Sequence, residues 1–264
     1  MIDIGVNLTN ARFDKDRSAV IERAQGADIS AMLVTGTNIK ESEQAISLCQ
    51  QYPNYLYSTA GVHPHDADNV SDNYLDVLTA LAKNECVKAI GECGLDFNRN
   101  FSTPENQQRV FSEQVELAHQ LNLPLFLHQR DAFPLWFKTL EPYIEKIPAM
   151  VAHCFTSSKA ELEQCIEVGM YVGITGWVCD ERRGQTLRDI VPLIPLKQLM
   201  IETDAPYLTP RTIRPKPKSS RNEPSYLPYV VTMLSELMAC SEQEIIEQTR
   251  FNSEKVFNIS NQHA

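Results

Sequence analysis

Glu92, His128 and His153 carry side chains that bind divalent metals, and each follows directly after a short apolar segment. One carboxylate and two imidazoles are a recurrent ligand set for a catalytic metal ion that keeps one coordination position open. A metal ion held in this way lowers the pKa of a bound water and polarises the bond to be hydrolysed. Taken singly, each residue is more often an ordinary hydrogen-bonding group. Together, at successive strand ends, the three predict a metal-dependent hydrolase.

Asp204 follows the last apolar segment and is the fourth candidate. Its carboxylate would either bind a second metal ion or accept the proton of an attacking water. Glu202 lies on the same face, because side chains alternate along a strand, and it is as able to orient a ligand as to be one. The predicted catalytic residues are therefore Asp204 and Glu92, and the predicted metal ligands are Glu92, His128, His153 and Asp204.

Eight short runs rich in apolar and β-branched residues predict the strands that position these side chains. They are Ile2–Val6, Ala31–Thr35, Tyr57–Gly61, Val87–Gly91, Pro124–Leu127, Ala149–Ala152, Met170–Ile174 and Leu199–Glu202. Helix-length segments separate most of them. In the clearest segment, Thr103 can cap a helix that starts at Pro104 and ends at Leu121.

Strand–helix alternation with nearly continuous apolar strands predicts a parallel sheet covered by helices. Eight such units in 264 residues, with no GxGxxG motif after the first strand, favour a (β/α)8 TIM barrel over an open doubly wound sheet. Active sites of such barrels lie at the C-terminal ends of the strands, where the candidate residues fall. We expect a single hydrolase domain over residues 1–264, with C-terminal helices from about 224.

The composition describes an acidic globular protein with a net charge of -10 and seven irregularly spaced cysteines. An odd number of cysteines without a CxxC pair indicates reduced thiols. The N-terminus shows no secretory signal, and no apolar run approaches the roughly 20 residues of a membrane helix. We therefore expect a cytoplasmic protein without a membrane partner, and a monomer.

Basic residues in predicted rim loops indicate a polyanionic substrate despite the acidic net charge. The run from Arg211 to Arg221 holds five cations and no acidic residue. Such runs are more often solvated loops, but its position after the last strand favours substrate contact. Arg182 and Arg183 lie in another rim loop with Trp177, whose ring could stack a base or belong to the core. The predicted substrate-binding residues are His63, His65, Arg130 and Arg221.

These residues lie in motifs that together resemble the TatD family of metal-dependent deoxyribonucleases across essentially the whole chain. The motifs are Gly61-Val62-His63-Pro64-His65, Gly91-Glu92-Cys93-Gly94-Leu95-Asp96, His128-Gln129-Arg130, His153-Cys154-Phe155, Glu202-Thr203-Asp204-Ala205-Pro206 and Arg221-Asn222-Glu223-Pro224. Two runs, 3–8 and 96–100, resemble the founding member of that family in particular. The resemblance implies a TIM barrel with Mg2+-supported 3'-5' exonuclease activity on single-stranded DNA or RNA, and a role in DNA repair or degradation. The family's metal ligands fall on Glu92, His128, His153 and Asp204.

One departure concerns the His-x-His pair that follows the first strand in most of the family, because those positions are Gly5 and Asn7 here. We therefore expect one well-held metal, with Zn2+ or Mn2+ also able to bind at Glu92, His128 and His153, and at most a weak second site. Asn7 could offer one weak carbonyl ligand. The alternatives are a small-molecule amidohydrolase or phosphoesterase on the same barrel, and a binding or assembly protein that has lost catalysis.

Overall fold

The computed structural model describes residues 1–259, and its strands form one eight-stranded sheet whose order follows the chain from β1 to β8. The strands are β1 (Ile2–Val6), β2 (Ala31–Val34), β3 (Leu56–Ala60), β4 (Val87–Asp96), β5 (Leu125–Arg130), β6 (Met150–Ala152), β7 (Tyr171–Ile174) and β8 (Leu199–Ile201). Neighbours such as β4 and β5 pair in parallel, and Val6 forms a parallel bridge with Ala205. The predicted (β/α)8 TIM-barrel class is confirmed.

Helices alternate with these strands and follow the last of them. They are α1 (Arg17–Gly26), α2 (Ile39–Gln51), α3 (Tyr74–Leu81), α4 (Pro104–Leu121), α5 (Phe133–Leu140), α6 (Lys159–Glu167), α7 (Gln185–Ile190), α8 (Leu227–Met238) and α9 (Glu242–Phe257). None of the helices within residues 1–259 is long and apolar enough to cross a membrane. Contacts along the chain divide it into two compact units, 35–153 and 1–34 with 154 onward. The single domain over residues 1–264 stays a prediction.

The unit of residues 35–153 contains β3 to β6 and α2 to α5, and its longest helix is α4. The α4 bounds match the predicted ones, because the Thr103 side chain accepts a hydrogen bond from Asn106 N and Pro104 occupies the first helical turn. Phe111 and Val115 on one face of α4 are fully buried. Apolar residues at helical spacing, together with a cap, therefore suffice to define this helix.

Strand β4 is longer than predicted, since it continues past Gly91 to Asp96. Gly91 and Gly94 adopt φ values of 140° and 151°, which side chains rarely allow, and a Cβ on Gly94 would lie 1.8 Å from the His128 carbonyl oxygen. The register to β5 shifts between Gly91 and Cys93, which marks a bulge. Glu92 therefore lies inside a strand, at an irregularity that only glycine neighbours permit.

The other unit contains β1, β2, β7 and β8 with α1 and α6 to α9. Strand β1 is buried along its whole length, including the charged residue Asp3 among its apolar ones. Helix α1 begins at Arg17, because the preceding residues from Ala11 form a separate 3-10 turn capped by the Asn10 side chain. On α9, the Asn252 amide donates to the carbonyl oxygens of Leu196 and Leu199 at 2.8 Å each, which ties the last helix to β8.

Candidate metal centre

Glu92 lies at the centre of a group of imidazoles in the unit of residues 35–153. Glu92 is 6% exposed, and its backbone N–H donates to the Gly36 carbonyl oxygen at 2.8 Å. The Oε1 atom lies 3.0 Å from His128 Nδ1, 3.0 Å from His153 Nε2 and 3.4 Å from His63 Nε2. We call these four residues the Glu92 cluster. One carboxylate oxygen facing three imidazole nitrogens is a donor set that suits a divalent metal.

Strand geometry brings these side chains together. His128 lies in β5, and His153 directly follows β6 and donates its N–H to the Leu127 carbonyl oxygen of β5 at 3.0 Å. The His153 ring packs on Phe126, with ring centroids 4.6 Å apart. Parallel strands end at one edge, so side chains from successive strand ends meet there. Three predicted metal-site residues, Glu92, His128 and His153, are thus neighbours.

His63 joins the cluster as a hydrogen-bond donor. Its Nδ1 accepts the His65 backbone N–H at 3.1 Å. When one nitrogen of a neutral imidazole accepts, the other carries the hydrogen, so His63 Nε2 faces Glu92 as an N–H group. His63 Nε2 lies close enough to Glu92 and His128 for the three residues to share a metal ion. In this tautomer, however, Nε2 carries a hydrogen and has no lone pair to offer to the ion. Sequence reasoning placed His63 with the substrate and missed this contact with Glu92.

Burial and charge set the protonation of the cluster. Burial lowers the pKa of His63 to about 4, although the neighbouring Glu92 opposes that shift, so its imidazole is neutral at pH 7. Burial alone would raise the pKa of Glu92, but His153, His63 and the hydrogen bonds with His128 and His153 hold it well below its usual range. A carboxylate that stays ionised among imidazoles is a ligand set suited to a cation.

Asp96 forms a second layer behind His128. Its Oδ2 is 2.8 Å from His65 Nε2 and 3.4 Å from His128 Nε2, while its Oδ1 accepts the backbone N–H groups of Asn98 and Arg99. The Asp96 side chain is 2% exposed. Burial would raise its pKa, but the two histidines and Arg99 hold that pKa well below its usual range. The burial of His128 would lower its pKa, but Asp96 and Glu92 raise it.

The two nitrogens of His128 face different carboxylates. Nδ1 lies at hydrogen-bond distance from Glu92 Oε1, 3.0 Å away, and Nε2 faces Asp96 Oδ2 at the longer distance of 3.4 Å. Asp96 was in a motif of the resemblance but was given no role from the sequence. Its position four residues after Glu92, on the same face of a strand, was the available signal.

Asp204 lies in the other unit, just beyond β8. Its Oδ1 accepts a hydrogen bond from Asn7 Nδ2 at 2.9 Å, and its backbone N–H donates to the Gly5 carbonyl oxygen at 2.8 Å. The amide nitrogen of Asn7, and not the carbonyl oxygen considered from the sequence, therefore faces Asp204. Glu202 is fully buried and accepts the Cys154 N–H at 2.6 Å, in keeping with an orienting role.

Beneath Asp204, a buried carboxylate supports the loop. Asp3 is fully buried and accepts hydrogen bonds from the backbone and hydroxyl of Thr203, the residue that precedes Asp204. Burial raises the pKa of Asp3 to about 7 against the effect of those bonds. We call Asp3, Asn7, Thr203 and Asp204 the Asp204 cluster. Sequence reasoning missed Asp3, because a strand interior rarely holds a carboxylate.

The predicted substrate-binding residues occupy different settings. His65 Nε2 donates to Asp96 at 2.8 Å, and the His65 ring packs edge-on against Phe101, which is 66% exposed. Arg130 ends β5 with an exposed side chain. Arg221, in contrast, forms two hydrogen bonds to Asp16, at 2.6 and 2.7 Å. The Arg221 guanidinium thus has a structural partner, and these contacts lend no support to its predicted role with the substrate.

Comparison with known proteins agrees with the geometry. The family model described as TatD related DNase matches residues 2–258. A protein of Pectobacterium atrosepticum called 3'-5' ssDNA/RNA exonuclease TatD is 51% identical over 98% of this chain and 100% of its own length. A protein of Erwinia tasmaniensis with the same name is 52% identical over 98% of this chain and 100% of its own.

Solved structures show the same fold. A TatD homologue from Escherichia coli K12 superimposes with a TM-score of 0.89 at 28% identity, covering 98% of each chain. A hydrolase of the TatD family from Entamoeba histolytica superimposes with a TM-score of 0.90 at 26% identity, again over 98% of each chain. With a family model and relatives that span nearly its full length, the chain belongs to the TatD-related DNase family.

Proposed function

We propose that this protein is a metal-dependent exonuclease that removes nucleotides from the 3' end of single-stranded DNA and RNA. The observation that carries the proposal is the Glu92 cluster, in which one buried carboxylate oxygen lies 3.0 Å from nitrogens of both His128 and His153. Membership of a DNase family and relatives named 3'-5' ssDNA/RNA exonuclease support the class of substrate. A role in DNA repair or degradation belongs to the same proposal.

Glu92, His128 and His153 would hold the metal ion. Their donor atoms fit a divalent cation, since the ionised Glu92 carboxylate lies 3.0 Å from a nitrogen of each imidazole, and a histidine binds an ion through the lone pair of its neutral form. A bound divalent ion would polarise the phosphodiester and lower the pKa of a water. We propose Mg2+ for activity, while the imidazole donors could also bind Zn2+ or Mn2+.

His63 would contribute a neutral hydrogen-bond donor. Its Nε2–H points into the cluster because Nδ1 is occupied by the His65 N–H, and its pKa of about 4 keeps the ring uncharged at pH 7. A phosphate oxygen that enters the cluster can accept this N–H in place of Glu92. His65 and the exposed Arg130 are the further candidates to neutralise the phosphate. His65 contacts Asp96, and Arg130 ends β5, the strand that holds His128, so both belong to the same unit as Glu92.

Asp204 would accept the proton of the attacking water. Its carboxylate is held by the Asn7 amide at one oxygen and by the backbone bond to Gly5, so its position is defined before substrate binds. The water oxygen forms a bond to phosphorus, and the bond from phosphorus to the neighbouring 3' oxygen breaks. That oxygen then takes up a proton, and the product is a 5' mononucleotide. Asp204 can also serve as a ligand, as the sequence predicts.

Digestion of end-labelled oligonucleotides tests this proposal. A 5'-labelled single-stranded 20-mer should yield a ladder that shortens from the 3' end, and a 3'-labelled one should release labelled mononucleotide at once. Both reactions should stop with EDTA and resume with Mg2+, and a blunt duplex should be cut more slowly. Internal fragments from a circular single strand, or hydrolysis confined to small esters or amides, would overturn it in favour of another hydrolase.

The location and assembly state predicted from the sequence are part of the proposal. All seven cysteines are free thiols, and several are buried, as expected in a reducing compartment. We propose a cytoplasmic monomer. Gel filtration with light scattering, which gives the mass in solution, would distinguish the 29.9 kDa monomer from a dimer.

A further inference from the structure

Asp180, just after the 3-10 turn Gly176–Cys179 that follows β7, collects arginines at the surface. Its carboxylate is 4% exposed, and its Oδ1 accepts the backbone N–H groups of Arg182 and Arg183. Its Oδ2 accepts Arg183 Nε at 2.9 Å and lies 3.7 Å from Arg211 Nη1, and Arg182 Nε is 3.9 Å from Oδ1. The three arginine side chains remain 64%, 59% and 39% exposed, in the order Arg182, Arg183, Arg211.

An aromatic ring completes this patch. The Arg183 guanidinium lies over Trp177, with 4.5 Å between its central carbon and the ring centroid. A cation over an indole face is attracted by the ring, and this contact restricts the Arg183 side chain further. We call Trp177, Arg182, Arg183 and Arg211 the arginine surface.

The basic loop after β8 lies directly against this turn. A Cβ on Gly176 would meet the Leu208 carbonyl oxygen at 2.2 Å, so the loop backbone passes where only glycine allows it. At its far end, Asn222 donates to the carbonyl oxygens of Pro206 and Thr203. The loop thus leaves and returns beside Asp204.

The charge of the patch opposes that of the whole chain. Residues 177–183 and 207–218 hold six cations and two acidic residues, while the protein carries a net charge of -10. The cations are Arg182, Arg183, Arg211, Arg214, Lys216 and Lys218. Asp180 accepts its hydrogen bonds from the Arg183 side chain and from two backbone N–H groups. Arg182 and Arg211 lie near the same carboxylate without a side-chain hydrogen bond to it, so their positive charges lie close to that of Arg183. Such an excess favours a bound polyanion.

We propose that the arginine surface binds the sugar-phosphate backbone of the single strand on the 5' side of the scissile bond, with Asp180 as a positioning residue. This inference rests on the proposed function, because an enzyme that trims the 3' end must hold a strand that extends toward 5'. Guanidinium groups bind phosphates through paired N–H groups, and an arginine that a carboxylate already orders loses less freedom on binding.

Charge reversal tests the surface. The variant Arg182→Glu with Arg183→Glu is compared with Arg250→Glu and Lys255→Glu on α9, which changes the charge of two exposed residues by the same amount. Fluorescence anisotropy of a labelled thymidine 20-mer in EDTA measures binding without turnover. We expect the surface variant to bind at least about 10-fold more weakly than the α9 variant. The slope of log affinity against log salt should be shallower by about 1.4, for two lost phosphate contacts.

Asp180→Asn separates positioning from charge alone. The asparagine oxygen can still accept the two backbone N–H groups, but its amide would face Arg183 Nε with a donor. If net charge alone governed binding, removal of this negative charge would tighten it. Because Asp180 orders the arginines, we expect about three-fold weaker binding instead. The preference for the 20-mer over a trimer should fall in both Asp180→Asn and the surface variant.

Each outcome bears on one proposal. A surface variant that folds, by its melting curve, and binds the 20-mer as tightly as the α9 variant overturns the arginine surface. Tighter binding by Asp180→Asn overturns the positioning role. If the 20-mer binds through these arginines but no oligonucleotide is digested from its 3' end, the surface stands and the proposed exonuclease function fails.

Discussion

The Glu92 cluster and the Asp204 cluster lie in different units and use different side chains around a carboxylate. Around Glu92, three imidazole nitrogens approach one oxygen atom. Around Asp204, an amide N–H from Asn7 takes the corresponding place. An imidazole can give a lone pair to a metal ion, whereas an amide N–H can only donate a hydrogen bond. The difference indicates that metal affinity is concentrated in the Glu92 cluster.

The two clusters also differ in how burial is compensated. Glu92 stays ionised because histidines surround it, and its pKa lies well below the usual range. Asp3, under Asp204, accepts from hydroxyl and backbone donors, and burial raises its pKa to about 7. A cation is therefore attracted to the first cluster by a fixed negative charge, whereas the Asp3 carboxyl of the second cluster stays protonated up to about pH 7.

Removal of one imidazole from the Glu92 cluster should have the largest effect. In His153→Ala, the nitrogen 3.0 Å from Glu92 Oε1 is lost, and a ligand set of two cannot hold a catalytic metal tightly. We expect bound metal to fall below one equivalent and nuclease activity to fall by more than about 100-fold. Metal analysis after dialysis and digestion of a 20-mer measure the two effects.

His119→Ala is the matched control, because His119 lies on α4 and contacts Tyr143. It should retain both metal and activity, and circular dichroism should show the fold of each variant. Full activity in His153→Ala would contradict the assignment of the Glu92 cluster as the catalytic metal site. The proposed difference in metal affinity between the two clusters would then have no support.

Asp96→Asn should have the next largest effect. A neutral amide would replace the carboxylate that accepts from His65 Nε2 and faces His128 Nε2, so the His128 ring would lose the charge that helps to orient it. We expect metal affinity to fall by about 10-fold to 100-fold, measured by calorimetry without any substrate. Asp189→Asn on α7, an exposed carboxylate, is the control. Equal affinities in the two variants would restrict Asp96 to a structural role.

The features that could be predicted from the sequence are those that follow from the regular alternation of strands and helices. Apolar strands of regular spacing predict the barrel, and side chains at strand ends predict Glu92, His128 and His153 as neighbours. Other roles depend on which atom faces which, and spacing carries no such information. His63 became a donor through a bond to a backbone N–H, and Asn7 presents nitrogen and not oxygen.

Ion pairs between residues far apart in the chain could not be predicted from the sequence either. Arg221 is predicted to bind substrate because it is basic and lies in a basic loop, and no sequence pattern indicates its ion pair with Asp16, 205 residues earlier. The strand bulge beside Glu92 lies where Gly91 closely approaches the Phe126 carbonyl oxygen, which a linear pattern of apolar residues does not encode. Register and pairing across the sheet decide such contacts.

The stability of the Asp204 cluster should depend on pH through Asp3. The pKa of Asp3 is about 7 in the folded protein and about 4 in an unfolded chain, so the folded state binds the extra proton between these values. Stability from this group is therefore present at low pH and is lost as pH rises toward 7. In Asp3→Asn, which cannot ionise, this loss should be absent.

The measurement is urea unfolding of both proteins from pH 5 to pH 8. The wild type should lose about 2–3 kcal/mol of unfolding free energy relative to Asp3→Asn over that range, because one pKa unit corresponds to about 1.4 kcal/mol. The difference between the two proteins removes the contribution of the other titrating groups. Parallel curves would mean that Asp3 is ionised in the folded state, and both clusters would then hold a fixed charge.

The smallest effect should come from placing imidazoles in the Asp204 cluster. Gly5→His with Asn7→His would supply two nitrogen donors beside Asp204 in place of the amide N–H, and we expect a second, weakly bound metal ion. Metal analysis after equilibrium dialysis against Mn2+ should give a ratio near two where the wild type gives one. Asn7→Ala is the control, because it removes the amide without adding a ligand. A ratio of two in Asn7→Ala would show that the Asn7 amide excludes the second ion, and that the missing imidazoles do not.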